Sequence, residues 1–150
     1  MSRDWVADVK AFHQKFGQPV CLSPSFPPHA LFKFRVELVR EEYKELLTAL
    51  GFSFGNSNGP HSEACPDGCC VNYNPSKMHM AAAADAIVDL IYVLTGMALT
   101  FGIDLRPVWD EVQRANMAKE GGGIRADGKV LKPEGWKPPD IEGALKCGKL

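Results

Sequence analysis

The segment "MAAAADAIVDLIYVLTGMALTFG", residues 80–102, is the strongest constraint on the fold. It is long enough to cross a bilayer, but two aspartates lie inside it and its alanine-rich start is only weakly apolar. A buried helix over residues 77–101, stopped by Gly102, is therefore expected. Ile87, Val88, Leu90, Ile91, Val93 and Leu94 surround Asp85 and Asp89 on nearly every side, so such a helix has little solvent face to spare. Asp85 and Asp89 are four apart and share one face. Buried carboxylates must be hydrogen-bonded, paired with cations, bound to metal, or protonated. Pairing with Arg or Lys of a neighbouring helix and metal binding both remain open at this point.

Three further helices accompany this one. Residues 2–16 place Trp5, Val6, Val9, Phe12 and Phe16 at mostly helical spacing, and Gly17 sits where that helix would stop. The proline-rich "QPVCLSPSFPP" cannot continue it. A second helix runs from near Pro28 to Leu50, with Leu31, Val36, Leu38, Val39, Leu46, Leu47 and Leu50 as core candidates and Gly51 as its cap. A fourth covers 105–119, with Asp104 capping it and Pro107 in its first turn. Between the second and third lies a long loop, 51–76, with no convincing strand. After the glycines at 121–123 the chain turns at Asp127-Gly128 and Glu134-Gly135, with one helical turn after Asp140.

At 150 residues this is expected to be one domain, 1–150, with a basic tail from about 120 to 150. The formal net charge of -1 supplies no overall attraction to a nucleic acid polymer or an anionic membrane, so an anionic ligand must be small and locally held. The start "MSRDWVADVK" has no basic, apolar and cleavage pattern, and a cytoplasmic location is expected. The five cysteines are an odd set without regular spacing, and free thiols are the expected state.

The second helix carries "EEYKEL". Glu41 and Glu45 are four apart and Glu42 and Glu45 three apart, so all three project to neighbouring parts of one surface. On this helix alone a solvated, salt-bridged face competes with the wall of a cation site. If the second and third helices pack antiparallel, four or five carboxylates converge and repel one another unless a cation sits among them. Oxygen donors alone favour Mg²⁺, Mn²⁺ or Ca²⁺ over zinc. The segment 114–137 adds Arg114, Lys119, Arg125, Lys129, Lys132 and Lys137, able to wrap a polyphosphate or simply to solubilise a tail.

"EEYKEL", "DAIVDLIYVLTGMALTFGID", "VQRANMAK" and "RADGKVLKPEGW", in that order, resemble the all-α, MazG-like nucleoside triphosphate pyrophosphohydrolases, from about residue 30 to 140. The tail motif is most similar to the dUTPase branch. The resemblance implies a four-helix-bundle-like fold with an irregular basic tail. It also implies Mg²⁺-dependent cleavage between the α and β phosphates, with Mn²⁺ as a substitute. dUTP or a related deoxynucleotide is the leading substrate, and phosphoribosyl-ATP the alternative within enzymes. By the same resemblance Glu42, Glu45 and Asp89 are metal ligands, and Glu41 is a candidate for orienting the attacking water. Asn116 and Lys119 lie near the phosphates, and Arg125, Lys129 and Lys132 hold the triphosphate. The family pattern wants glutamate at 86, where this chain has Ala86, with Asp85 one residue earlier as a shifted ligand. That departure motivates a further alternative, a non-catalytic nucleotide-binding bundle. A homodimer or dimer of dimers is implied.

The loop residues His61, Cys65, Cys69 and Cys70 invite a zinc reading, but their spacing is not C-x-x-C. His13 is expected to be partly exposed, Phe16 and Trp109 to be core, and Trp136 to anchor the tail or touch a base.

Overall fold

The computed structural model describes residues 4–54 and 70–150. Its helices are α1 (Trp5–Lys15), α2 (His29–Ala49), α3 (Met80–Thr100), α4 (Leu105–Met117) and α5 (Ile141–Cys147). Two short strands, β1 (Phe52–Phe54) and β2 (Cys70–Tyr73), pair antiparallel, and a 3-10 turn, Pro75–Lys77, precedes α3. The fold is all-α apart from this hairpin, which corrects the expectation of a strandless loop. Three residues of apolar-polar-apolar alternation, "FSF", are too few to distinguish a strand from a turn in sequence. The proposed His/Cys zinc cluster lies outside the described residues except for the backbone of Cys70.

The chain groups into two compact units, residues 27–97 and residues 1–26 with 98–150. In the first of these, α2 begins after Pro28, whose fixed φ ends the extended segment before it. Leu47 is its buried centre, covered by Tyr43, Phe52 and Phe54. The N–H of His79 donates to the carbonyl of Ala49 at 2.9 Å, so the start of α3 meets the end of α2. Glu45, Thr48 and Ala49 of α2 line one cavity with Ala82, Asp85 and Ala86 of α3, which fits the antiparallel arrangement considered from the sequence.

Their packing differs from expectation in which face of α3 turns inward. Ala83 and Ala86 are buried at 6% and 4% exposure, whereas Ile87, Val88, Ile91 and Leu94 stay 44–59% exposed. The covered stripe of α3 is thus made of small alanines, and the large apolar residues remain outside. The helix expected to be buried thus has an uncovered apolar side in the single chain. By length and composition alone it could cross a membrane, and a third of its most apolar window is buried in the single chain.

In the other unit, Asp4 caps α1 by accepting from the N–H of Ala7, and Asp104 caps α4 by accepting from Arg106. The Arg106 guanidinium bonds Asp104 at 2.8 Å and Asp4 at 3.0 Å, tying the starts of both helices together. The last turn of α3 ends in a Schellman arrangement. The N–H of Ile103 donates to Ala98 and that of Gly102 to Leu99, with Gly102 at φ 71°. The 17–26 connector lies along this turn, since the N–H groups of Cys21 and Ser25 donate to the carbonyls of Leu99 and Phe101.

Three single-residue expectations are corrected here. His13 is buried at 2%, because its Nδ1–H finds the carbonyl of Pro19 at 2.9 Å and no water is needed. Phe16 lies one residue past the end of α1 and is 56% exposed, leaning on Phe12. Trp109 is 63% exposed, meeting Trp5 only edge-on at 6.2 Å.

Candidate active site

With His79 against Ala49, each step back along α2 matches a step forward along α3, so Glu45 comes level with Ala83 and Glu42 with Ala86, and Asp85 and Asp89 follow within one helical turn of those positions. Glu45 and Asp85 both line a cavity of about 420 Å³ between the helices, together with Thr48, Ala49, Lys77, His79, Ala82 and Ala86. Partial burial raises the pKa of Glu42, and the negative charges of Glu45, Asp89, Glu41 and Asp85 push it in the same direction. One carboxyl thus senses the other four, while of the five only Glu45 and Asp85 line the cavity.

Burial is shallower than the apolar surroundings of α3 implied. Glu41, Glu45 and Asp85 are exposed, and only Glu42 and Asp89 are half-covered. Among the described residues none of the five takes part in an ion pair, so pairing with Arg or Lys does not account for them. The donor chemistry, oxygen only and mutually repelling, fits a hard divalent cation. Among the described residues no three His, Cys, Asp or Glu side chains stand close enough to hold a metal ion together. The carboxylates therefore form a shared wall rather than a closed cage.

Position 86 is informative. Ala86 and Asp85 both line the cavity, so moving the acidic residue one place earlier keeps a carboxylate on its wall. Helical geometry turns positions 85 and 86 by about 100° relative to each other, yet both edges of the inward stripe reach the opening. Ala86 itself is buried at 4% exposure at the edge of this cavity.

The basic tail belongs to the other unit. Lys119 Nζ donates to Asn116 Oδ1 at 2.8 Å, joining the last turn of α4 to the residues after it. Arg125 is held by both oxygens of Asp127, and the N–H of Lys129 also donates to Asp127. Lys132 Nζ lies 4.0 Å above the Trp136 ring, and Trp136 Nε1–H donates to the carbonyl of Ala115 at 2.7 Å. The tail is thereby folded back on the end of α4, with Trp136 as the anchor the sequence suggested. Within that unit Asn116, Lys119 and Lys132 gather around one helix end, while Arg125 and Lys129 sit on the Asp127 turn.

Lys77, His79 and Thr48 are lining residues that the sequence did not reveal. No motif marks them, because they meet Glu45 and Asp85 only after the 3-10 turn sets the approach into α3.

A family model for phosphoribosyl-ATP pyrophosphohydrolase matches residues 9–116, well over half of the chain and inclusive of all five carboxylates. Comparison with the curated proteins gives no match. The matched span points to this hydrolase family and not specifically to the dUTPase branch that the tail motif suggested. With an all-α fold and carboxylates converging from two antiparallel helices, the chain belongs to the phosphoribosyl-ATP pyrophosphohydrolase family, within the MazG-like all-α nucleotide pyrophosphohydrolases.

Proposed function

We propose that the chain hydrolyses the bond between the α and β phosphates of a purine or pyrimidine nucleotide at the α2–α3 wall, with Glu42, Glu45, Asp85 and Asp89 as the residues that would draw together around Mg²⁺. The observation that supports this reading is geometric: Glu45 of α2 and Asp85 of α3 line one cavity, and neither has an ion-pair partner among the described residues. A bound divalent cation would supply charge neutralisation of the phosphate oxygens and lower the pKa of an attacking water. Glu41, exposed at the edge of the wall, accepts a proton from that water. One P–O bond forms to water oxygen, the bridging P–O bond breaks, and pyrophosphate leaves with the bridging oxygen. Asn116, Lys119, Arg125, Lys129 and Lys132 are proposed to hold the phosphates. Arg125 must first exchange its Asp127 partner for phosphate oxygens.

The family match favours phosphoribosyl-ATP as substrate, and the "RANMAK" and "ADGKVLKPEGW" motifs favour dUTP. A cytoplasmic homodimer is proposed with it, since a symmetric partner would cover Ile87, Val88, Ile91 and Leu94 on α3. Product analysis across phosphoribosyl-ATP, dUTP and the common nucleoside triphosphates tests the reading. Pyrophosphate and a monophosphate from phosphoribosyl-ATP assign the family substrate, and the same products from dUTP alone assign the other. Orthophosphate release, or none from any nucleotide, would sink the bond assignment.

A further inference from the structure

The carboxylate wall is only one side of the cavity between α2 and α3. The same cavity is lined by Lys77, from the 3-10 turn, and His79, the residue before α3. His79 Nδ1 accepts the N–H of Ala82 at 3.1 Å, which places the ring proton on Nε2 and makes that nitrogen a donor. Among the described residues Lys77 is in no ion pair. An ammonium, an imidazole N–H and the Thr48 hydroxyl thus share a cavity with two acidic side chains. A free anion is repelled by Glu45 and Asp85, and a bare cation by Lys77. A metal-bound phosphate satisfies both ends at once.

We propose that Lys77 and His79 bind a phosphate group of the metal-bound polyphosphate in this cavity, as positioning residues beyond the tail cations. The inference rests on reading the carboxylate wall as a metal site. Phosphate oxygens would face Lys77 Nζ and His79 Nε2–H, and Glu45 and Asp85 would hold the divalent cation that neutralises the phosphate charge. The size is suitable, because about 420 Å³ accommodates a polyphosphate chain without requiring the base to enter.

Calorimetric titration of inorganic tripolyphosphate into the full chain, with and without Mg²⁺, tests this directly. The variants are Lys77→Met, which keeps the stem and removes the charge, and His79→Asn, which can still cap α3 but lacks the Nε2 donor. Melting temperatures close to that of the wild type would establish that both are folded. The expected result is Mg²⁺-dependent binding by the wild type, weakened on the order of tenfold in Lys77→Met and by a smaller factor in His79→Asn. Equal affinity in all three proteins, or no binding by the wild type, would overturn the inference. Pyrophosphate release from nucleotides, measured in parallel, separates the two readings. Wild-type release with unaltered tripolyphosphate binding in both variants removes Lys77 and His79 and leaves the hydrolase. Weakened binding in Lys77→Met without wild-type release leaves the phosphate site and removes the hydrolase.

Discussion

Replacing Gly102 by alanine places a methyl group 2.0 Å from the carbonyl oxygen of Ser23 and 2.4 Å from its carbon. Both contacts are with backbone, so no flexible side chain can swing away. The residue also sits at φ 71°, where an L side chain costs about 1–2 kcal/mol. Relieving the clash requires the 17–26 connector to lift, and the hydrogen bonds from Cys21 to Leu99 and from Ser25 to Phe101 flank that point. Losing both costs roughly 1–3 kcal/mol, at about 0.5–1.5 kcal/mol each. Gly17 provides a matched control. It ends α1 at φ 65°, with the N–H of Gln18 donating to His13, but an added Cβ there meets nothing within 4 Å. Gly17→Ala should therefore carry the backbone cost alone. Gly102→Ala should be less stable than Gly17→Ala by roughly 1–3 kcal/mol in urea titrations with unchanged slope, a gap of about 3–10 °C in melting temperature. Equal destabilisation by the two substitutions would refute the close passage of the connector over α3.

Glu42→Gln tests the repulsion on the wall. Glu42 binds its proton more tightly folded than unfolded, so the metal-free wild type should lose stability as pH rises above about 4.5, and the variant should lose less. Adding Mg²⁺ at about a hundred times its dissociation constant should stabilise the wild type by about 2.7 kcal/mol and the variant by less, read as melting-temperature shifts. Glu111 behaves oppositely: its hydrogen bond from Arg114, assisted by the N–H of Asp140, holds its pKa at about 2. The advantage of the wild type over Glu111→Gln should be complete above about pH 5 and fade as pH falls toward 2, measured by thermal melts. Trp136→Phe removes the donor to Ala115 and should destabilise the chain by about 1 kcal/mol or somewhat more, with greater protease sensitivity in the tail. Unchanged proteolysis would show that Trp136 does not anchor it.

Helix ends were legible in the sequence because their signals are local. Gly17, Gly51 and Gly102 stop helices, and Asp104 starts one, through backbone and capping geometry confined to a few residues. That carboxylates of the second and third helices share a cavity was legible too, in Glu45 and Asp85, because i,i+3 and i,i+4 spacing puts the carboxylates on one face of each helix. Which face of α3 turns inward was not legible. Apolar count favoured Ile87, Val88, Ile91 and Leu94, whereas Ala83 and Ala86 are the buried positions. Trp109 and His13 were misread for a related reason, since exposure there depends on partners distant in sequence. The cavity-lining Lys77 and His79 depend on a three-residue turn that no periodicity predicts.

The central claim is that the α2–α3 carboxylates perform metal-dependent hydrolysis of a nucleotide's α–β bond. Pyrophosphate release from phosphoribosyl-ATP and dUTP at saturating Mg²⁺, measured for wild type, Glu42→Gln and Asp89→Asn, tests it most directly. Release by the wild type that requires Mg²⁺ and falls at least about a hundredfold in both variants is the predicted result. Release that persists in the variants, or that needs no divalent metal, would contradict it.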